Sequence, residues 1–532
     1  MKIRRERALA VISAFTAAAM LCACGGDGKR TASLEDMDLS QYPVKADAEL
    51  TYWFGLGSNV SASVTNFGET ALAKKLEEET GVKVKYIHPA QGQENESFGI
   101  MVASDEMADI VVTNWSTALG GPGVTINDKV IISLNDYLDE YAPNYKKIIE
   151  SDAEIEKGVK NDDGQVFCFG TLNDGKTMTA GPMIRKDWLD DLGLEVPKTI
   201  DELENALRAF KEKKGADAPM SGTSGLTSYI LMTLGTREGF YVDNGKVKYA
   251  PAEPHYKKVV ERLAKWYKEG LLDQNYLSND NTMLDANMLN GNTGFVTASI
   301  GSGMGAWLAA MEGKDDKFDL TAVPYVSFDG DDKPNMVRVP TKINQWSTTA
   351  ISAKCKYPEL AAKFLDYCYS EKGHMLCNFG IEGESYVMED GYPKFTDKIL
   401  NNPDGLSVSQ ALGYYAAAAG GSVAAYMSDS RYLEQYYQRP QQKEAPGIWT
   451  SQVDDNYRAM ELPPLYYGAE ESDEYADVVA NLNKYRQEGT AAFVAGSRPM
   501  SEYESFVDGY RSLGLDRALV IMQSAYERYL AK

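Results

Sequence analysis

The 532-residue sequence predicts an α/β protein with more than one domain. Three observations support this fold class. Strand and helix patterns alternate between residues 49 and 113, longer amphipathic helices begin after residue 183, and apolar residues make up 44% of the chain, as in ordinary soluble proteins. The length suggests two to four domains, because domains commonly contain about 100–200 residues.

The first elements have the order βαβαβ. Residues 49–54 and 82–87 read as strands, 109–113 is a short apolar run typical of a buried strand, and 67–80 and 97–104 predict the intervening helices. Gly81 follows the first helix and is the expected stop signal. This order is typical of a parallel sheet, in which ligands bind beyond the carboxyl ends of the strands.

Small polar loops containing an aromatic residue follow two of these strands. Trp53 and Asn59 lie at the end of the first strand and in the loop beyond it, and Asn114 and Trp115 follow the third strand. Flat aromatic rings suit the apolar faces of sugars, and amide groups suit hydroxyls. These four residues are therefore candidate ligand contacts, although a tryptophan in such a position can equally belong to the core.

Longer helices dominate the rest of the chain. Thr199 and Glu202 form a capping-box pattern that opens a helix through residue 210, and 254–269 and 358–369 predict two further amphipathic helices. We assign Trp188 and Trp266, which lie on amphipathic helices, to the core. The last 60 residues are almost entirely helical in pattern, with a second capping box at 501–504 and a break at Gly514.

The N-terminus has the pattern of a bacterial lipoprotein signal. A basic segment precedes the 13 apolar residues 8–20, which are too few for a membrane-spanning helix because such a helix needs about 20. Leu21-Cys22-Ala23-Cys24 resembles a lipobox, so residues 1–23 are the predicted signal peptide and Cys24 the predicted lipidated residue. An ordinary secretory signal with a chance cysteine is the alternative. Residues 24–46 are the expected flexible tether.

Charge and composition exclude several classes of function. The net charge is −23, and removing the signal, which carries four positive charges and one negative, makes it −26. So acidic a surface repels nucleic acid and anionic lipid. The sequence has only three histidines, and no pair of them has metal-ligand spacing. Few residues are therefore available for a zinc site or a Ser-His-Asp triad. The four cysteines that remain, Cys168, Cys355, Cys368 and Cys377, are expected to be buried free thiols, with one disulfide as the alternative.

The sequence contains two glycine-rich motifs, and neither meets the requirements of a nucleotide-binding site. Residues 170–177 fit the phosphate-loop pattern G-x-x-x-x-G-K-[ST], but Gly181-Pro182 follows too soon for the helix that such a loop requires. We interpret this segment as a hinge loop. Gly301, Gly303 and Gly305 lack dinucleotide spacing and predict a loop where a backbone makes a close approach, with a ligand as one possible neighbour.

Several segments resemble signatures of the bacterial extracellular solute-binding protein family 1, the lipoprotein receptors of ABC sugar importers. The segments are 183–203, 266–273, 351–367, 379–386 and 493–529. Of these, 379–386 is close to a motif of the long subgroup that binds oligosaccharides. They occur in family order along nearly the whole mature chain. Some long members carry a calcium loop where this chain reads 211–219, and the two acids there cannot supply the several oxygens that calcium requires, so no metal or other cofactor is expected.

The resemblance implies a periplasmic-binding-protein-like fold of two hinged α/β lobes, each with a sheet flanked by helices. It places the N-terminal lobe at 47–175 and 345–375 and the C-terminal lobe at 180–325 and 385–532. The chain is expected to cross between the lobes near 172–182, 325–345 and 371–385. A ligand would bind in the cleft and close it by hinge motion.

The function implied is a lipid-anchored, non-catalytic substrate-binding subunit that is monomeric, binds a carbohydrate and delivers it to an ABC permease pair and its ATPase. Its expected location is the outer face of the bacterial cytoplasmic membrane or the periplasm. A surface glycan-active enzyme and a non-transport glycan-binding protein are the alternatives. The candidate ligand contacts are Trp53, Asn59, Asn114, Trp115, Trp346, Glu382, Tyr386, Tyr414, Tyr415 and Trp449.

Overall fold

A computed structural model describes residues 37–223, 228–328, 331–419 and 423–532. The predicted signal peptide, its lipidation site Cys24 and most of the tether lie outside these residues. The described strands are β1 Glu49–Trp53, β2 Lys83–Ile87, β3 Ile110–Thr113, β4 Phe169–Leu172, β5 Ala180–Arg185, β6 Phe240–Asp243, β7 Lys246–Tyr249, β8 Phe295–Ser299, β9 Leu320–Ala322, β10 Ile343–Ile351, β11 Tyr386–Glu389, β12 Tyr392–Phe395 and β13 Tyr426–Met427.

Helices cover most of the remaining described chain. They are α1 Ser58–Ser61, α2 Ala71–Thr80, α3 Glu94–Ala103, α4 Pro122–Asn127, α5 Pro143–Ser151, α6 Ala153–Val159, α7 Lys186–Leu192, α8 Ile200–Lys214, α9 Ser228–Thr233, α10 Pro254–Glu269, α11 Asn281–Leu289, α12 Ala306–Met311, α13 Pro358–Tyr367, α14 Glu371–Phe379, α15 Asp397–Leu400, α16 Val408–Tyr415, α17 Ser430–Tyr436, α18 Pro440–Thr450, α19 Asp455–Met460, α20 Ala469–Val494, α21 Tyr503–Ser512 and α22 Leu515–Ala531. No helix among the described residues has the length and apolar character needed to cross a membrane.

The first lobe is built on a six-stranded sheet with the order β13-β4-β10-β3-β1-β2. Strand β1 lies between β2 and β3 and is parallel to both, which confirms the predicted βαβαβ order. Helix α2 begins at Ala71 because the Thr70 hydroxyl accepts the Ala73 amide at 3.0 Å, and it ends at Gly81, whose φ of 73° favours glycine. The apolar faces of these elements pack against the sheet and form a single hydrophobic core.

The second lobe is built on a three-stranded antiparallel sheet with the order β8-β5-β9. The capping box of Thr199 and Glu202 is present and opens α8, as predicted. Trp188 and Trp266 are buried in the core of this lobe, which confirms their assignment. The second predicted capping box is wrong: α21 begins at Tyr503, and no side chain caps its first turn.

The chain passes from one sheet to the other at three places. It runs from β4, which ends at Leu172, to β5, which begins at Ala180, and from β9 back to β10. The third passage differs from the prediction. Strand β13 still pairs with β4 in the first sheet, and α18 is the next element to pack on β9 of the second, so the chain crosses near 427–440 rather than 371–385.

Residues around the expected third crossing belong to the first lobe instead. Helix α14 contributes Leu376 and Cys377 to the core of that lobe, and α16 packs against α1 and α2. The assignment of 385–427 to the C-terminal lobe is therefore wrong. Gly380 and Gly383, both with positive φ, introduce a turn within the first lobe at the place where the resemblance implied a crossing.

Three further expectations concern loops and thiols. The segment after Lys176 forms no helix before β5, so the phosphate-loop geometry does not form. Residues 300–305 form a helical turn leading into α12, so the loop expected there is wrong. The close approach expected there is confirmed, because a Cβ atom at Gly301 or Gly305 would collide with the Tyr436 or Gln442 side chain. All four described cysteines are free: Cys168, Cys368 and Cys377 are buried and Cys355 is half-buried.

Close packing of Gly181 against Trp449 yields a test of the second lobe's core. A Cβ atom at Gly181 would lie 2.4 Å from the Trp449 indole, whose N–H donates to the carbonyls of Pro182 and Val323 at 3.1 Å each. Because the ring is held by both bonds, we expect Gly181→Ala to lower the free energy of unfolding by about 1–3 kcal/mol. Chemical denaturation monitored by circular dichroism measures this.

The matched control is Gly239→Ala, since a Cβ atom there would meet no atom within 4 Å. It should leave the free energy of unfolding nearly unchanged. Equal stability of the Gly181→Ala variant and the wild type would contradict the packing described here.

Candidate functional site

The centre of the candidate site is a bulge at the start of β10. Ile343 lies opposite Leu172 of β4, whereas Thr348 lies opposite Gly170, so five steps along β10 correspond to two along β4. A bulge of this kind redirects side chains out of the regular pleat. Trp346 lies in the bulge, and its side chain is 83% exposed.

Both ends of the bulge are anchored. After it, the Thr348 hydroxyl donates to the Thr113 carbonyl at 3.1 Å, and the next residues of β10 pair with β3. Before it, the Lys342 ammonium donates to Asp152 at 2.5 Å. The hydrogen bond with Asp152 raises the pKa of Lys342, and this ion pair holds the strand against α6. Trp346 is thus an exposed ring on a fixed backbone.

A cavity of about 610 Å³ lies on one side of Trp346, at the carboxyl ends of β1 and β3. We call it the strand-end cavity. Its walls are two tryptophans and a set of amide, hydroxyl and small residues. The lining residues are Trp53, Phe54, Gly55, Leu56, Gly57, Gln91, Glu94, Asn95, Val112, Thr113, Asn114, Thr117, Trp346 and Ser347. This is the edge of the sheet at which the sequence predicts ligand contacts.

A second cavity of about 990 Å³ lies on the other side of Trp346, between the two lobes. We call it the inter-lobe cavity. The first lobe contributes Leu172, Trp346 and Tyr426, and the second contributes Met178 and Met232, among others. Tyrosine and proline side chains make up much of its remaining wall: Tyr432, Tyr526, Tyr529, Pro340, Pro463 and Pro464. Trp346 lines both cavities, so the two adjoin at this residue and are treated together as the cleft.

The charged residues around the inter-lobe cavity are of both signs. Glu154, Asp174 and Glu461 line it together with Arg338 and Arg458. Glu461 accepts two hydrogen bonds from Arg237, at 2.9 and 3.3 Å. Much of this charge is thus balanced within the protein.

A polar cluster around Asp429 anchors the first-lobe end of the third passage between the lobes. Its carboxylate accepts a hydrogen bond from Arg431 at 2.5 Å and lies 3.0 Å from the His374 ring nitrogen Nε2. Burial alone would raise the pKa of Asp429, but hydrogen bonds from His374 and Arg431 hold it well below its usual range. The amide side chain of Asn378 adds a bond to the Met427 carbonyl at 2.9 Å. The cluster secures the residues that follow β13.

Three of the ten sequence-predicted contacts line this cleft. Trp53 and Asn114 line the strand-end cavity, and Trp346 lines both cavities. Their role in binding stays a prediction. The structure adds Gln91, which lies just before α3, and Glu94 and Asn95 in the first turn of α3. Sequence reasoning missed them because α3 begins at Glu94, earlier than the predicted residue 97.

Trp115 and Trp449 do not reach the cleft, and their interpretation as ligand contacts is wrong. Both side chains are completely buried. The Trp115 indole N–H donates to the Val111 carbonyl at 3.0 Å, and that of Trp449 is held by two carbonyls as described above. A tryptophan with a satisfied N–H and no exposed face is a core residue.

The other five candidates lie away from both cavities. Asn59 donates to the Ala419 carbonyl at 2.7 Å and so ties α1 to the end of α16. Tyr386 is buried beside Phe379, and Glu382 is exposed nearby on the surface. Tyr414 and Tyr415 pack edge-to-face with their ring centres 5.0 Å apart. None of the five lines either cavity, and their role in binding is not supported by the structure.

Comparisons with known proteins agree with this architecture. A fructooligosaccharide ABC transporter substrate-binding protein, FusA of Streptococcus pneumoniae, is 23% identical over 96% of both chains. Lipoprotein LipO of Bacillus subtilis is 25% identical over 64% of this chain and 69% of its own. The crystal structure of the alginate-binding protein AlgQ2 without calcium superposes with a TM-score of 0.74, covering 90% of this chain and 98% of its own at 24% identity.

The similarity to AlgQ2 confirms the two-lobe fold, and the match to a family model shows to which protein family the chain belongs. The model described as "Bacterial extracellular solute-binding protein" matches residues 62–375, which is more than half of the chain and includes β10 with Trp346. This chain therefore belongs to the bacterial extracellular solute-binding protein family.

Proposed function

We propose that this chain is the substrate-binding subunit of an ABC importer and that its solute is a carbohydrate, most simply an oligosaccharide. The solute binds in the cleft between the lobes, the lobes close on it, and the closed form delivers it to a permease pair powered by an ATPase. Membership of the family supports a binding role, and FusA, similar over nearly the whole chain, supports the solute class.

The observation that carries the proposal is the exposure of Trp346 between two cavities. A large aromatic side chain that is 83% exposed leaves apolar surface in water, and such surface marks binding sites. Its ring on a fixed backbone suits the apolar face of a sugar, and the amides and hydroxyls around it suit the sugar's polar edge. Together the two cavities, about 610 and 990 Å³, exceed the volume of one drug-sized site.

Lobe closure requires flexible crossings, and we propose residues 172–182, 325–345 and 427–440 for them. The first two were predicted from sequence, and the third follows from the pairing of β13. A ligand shifts the protein toward the closed form only as far as it binds that form more tightly. Contacts from both lobes to the inter-lobe cavity provide that difference in affinity.

The first prediction concerns Trp346. A thermal-shift screen against neutral and acidic oligosaccharides identifies a ligand, since a ligand at 100 times its Kd stabilises a protein by about 2.7 kcal/mol. We expect Trp346→Ala to weaken that ligand by about thirtyfold, because removing a central aromatic contact costs about 2 kcal/mol. Isothermal titration calorimetry measures the affinity.

The melting temperature of ligand-free Trp346→Ala should match that of the wild type, because the exposed ring adds little to the core. Leu277→Ala is the control, since Leu277 is also exposed, at 54%, but lines neither cavity. Unchanged affinity together with a much lower melting temperature would place Trp346 in the core.

The second prediction is binding without turnover. No enzymatic role is proposed, although the surface glycan-active enzyme remains the rival to test. We expect the identified oligosaccharide to be recovered intact after overnight incubation with an equimolar amount of protein, as analysed by anion-exchange chromatography. Protein-dependent cleavage products would favour the enzyme.

The third prediction concerns lipid anchoring at Cys24. Its support is the lipobox pattern and the similarity to lipoprotein LipO. We expect the wild-type protein expressed in a bacterium to fractionate with membranes and to carry an acyl mass, and Cys24→Ala to be released in soluble form. Cys22→Ala is the matched control and should stay anchored. A wild-type protein without acyl mass would contradict the proposal.

A further inference from the structure

The strand-end cavity contains only one charged side chain among the residues that line it. That residue is Glu94; the other polar lining residues are neutral amides and hydroxyls, and no lysine or arginine of the described chain is among them. The inter-lobe cavity differs, because its lining includes two arginines beside three acids. The strand-end cavity and the inter-lobe cavity therefore present different charges to a bound oligosaccharide.

Glu94 is held in place at the first turn of α3. Its Oε1 accepts the Gly92 amide at 3.1 Å, and its side chain packs against Gly55, where a Cβ atom would come within 3.1 Å of Glu94 Cγ. No cation among the described residues pairs with it, and Oε2 has no hydrogen-bond donor in that part of the chain. Glycine at position 55 is what lets the carboxylate approach the end of β1.

We propose that Glu94 excludes negatively charged sugar units from the strand-end cavity and accepts hydroxyl groups of a neutral unit there. A carboxylate with a free oxygen is a strong acceptor for hydroxyls, and Asn95, Asn114 and Thr117 line the same cavity with neutral donors and acceptors. A uronate, sulfate or phosphate group would face an unneutralised negative charge. This inference rests on the proposed carbohydrate-binding function and names the solute class for one half of its site.

The magnitude of the effect follows from the separation of the charges. Two like charges a few ångströms apart repel each other enough, even near a protein surface, to weaken binding by about tenfold or more. The rest of the protein adds to this discrimination, because its net charge is −23. Because salt screens partly exposed charges, the discrimination should fall as ionic strength rises.

The test uses a matched pair of ligands and a charge-neutral variant. The ligands are the best neutral oligosaccharide from the screen and the same oligosaccharide after selective oxidation of its primary hydroxyls to carboxylates. For the wild type, we expect the oxidised form to bind about tenfold or more weakly by calorimetry. In Glu94→Gln, which keeps the size of the side chain and one acceptor oxygen but removes the charge, that ratio should shrink by about tenfold.

Glu96→Gln is the control, because Glu96 is exposed on the same helix, carries the same charge and does not line the cavity. It should keep the wild-type ratio. Equal ratios in Glu94→Gln and the wild type would overturn the role of Glu94. Much tighter binding of an oligosaccharide with a free amino group would also overturn it, because Glu94 would then recognise a cation.

Failure of this inference is distinguishable from failure of the proposed function. If neutral and oxidised oligosaccharides bind equally and both lose affinity in Trp346→Ala, carbohydrate binding stands and the charge selection is refuted. If no oligosaccharide of the panel binds, the proposed function itself fails.

Discussion

The insertion of β10 between β3 and β4 is the interaction on which the rest of the structure depends. This strand returns from the second lobe and pairs antiparallel with both neighbours, joining the βαβαβ unit to β4 and β13. Its second half, from Thr348, is buried in the sheet, while its first half bulges away from β4. Because the regular pairing resumes directly after the bulge, the exposed Trp346 is positioned as accurately as the sheet itself.

The same strand connects binding to movement. Its N-terminal end is a crossing between the lobes, and its bulge carries Trp346, which lines one cavity within the first lobe and one between the lobes. In the proposed function, a sugar chain bound at Trp346 contacts the first lobe in the strand-end cavity, and lobe closure adds contacts from the second lobe in the inter-lobe cavity. Those added contacts are the ones that would distinguish the two conformations.

The differences between the predicted and observed sites share a physical cause. Trp115 lies at a strand end, as Trp53 does, but its side chain turns inward, where its N–H meets the Val111 carbonyl. Trp449 is separated from β5 by more than 260 positions in sequence, yet it packs on Gly181. The hydrophobic periodicity around a tryptophan and its position in the sequence indicate that it lies near a sheet. They do not indicate on which side of the sheet its ring lies.

Local patterns in the sequence determined the βαβαβ order, helices α8 and α10 and the breaks at Gly81 and Gly514, because capping, helical period and glycine backbone freedom act over a few residues. The ordered family signatures determined the two-lobe class. Tertiary structure alone decided the third crossing near 427–440 and the meeting of Glu94 with Trp346 in one cavity. Both depend on residues far apart in the chain: β13 pairs with β4, and residues of α3 and β10 line one cavity. These arrangements are decided by packing of the whole sheet rather than by any local segment.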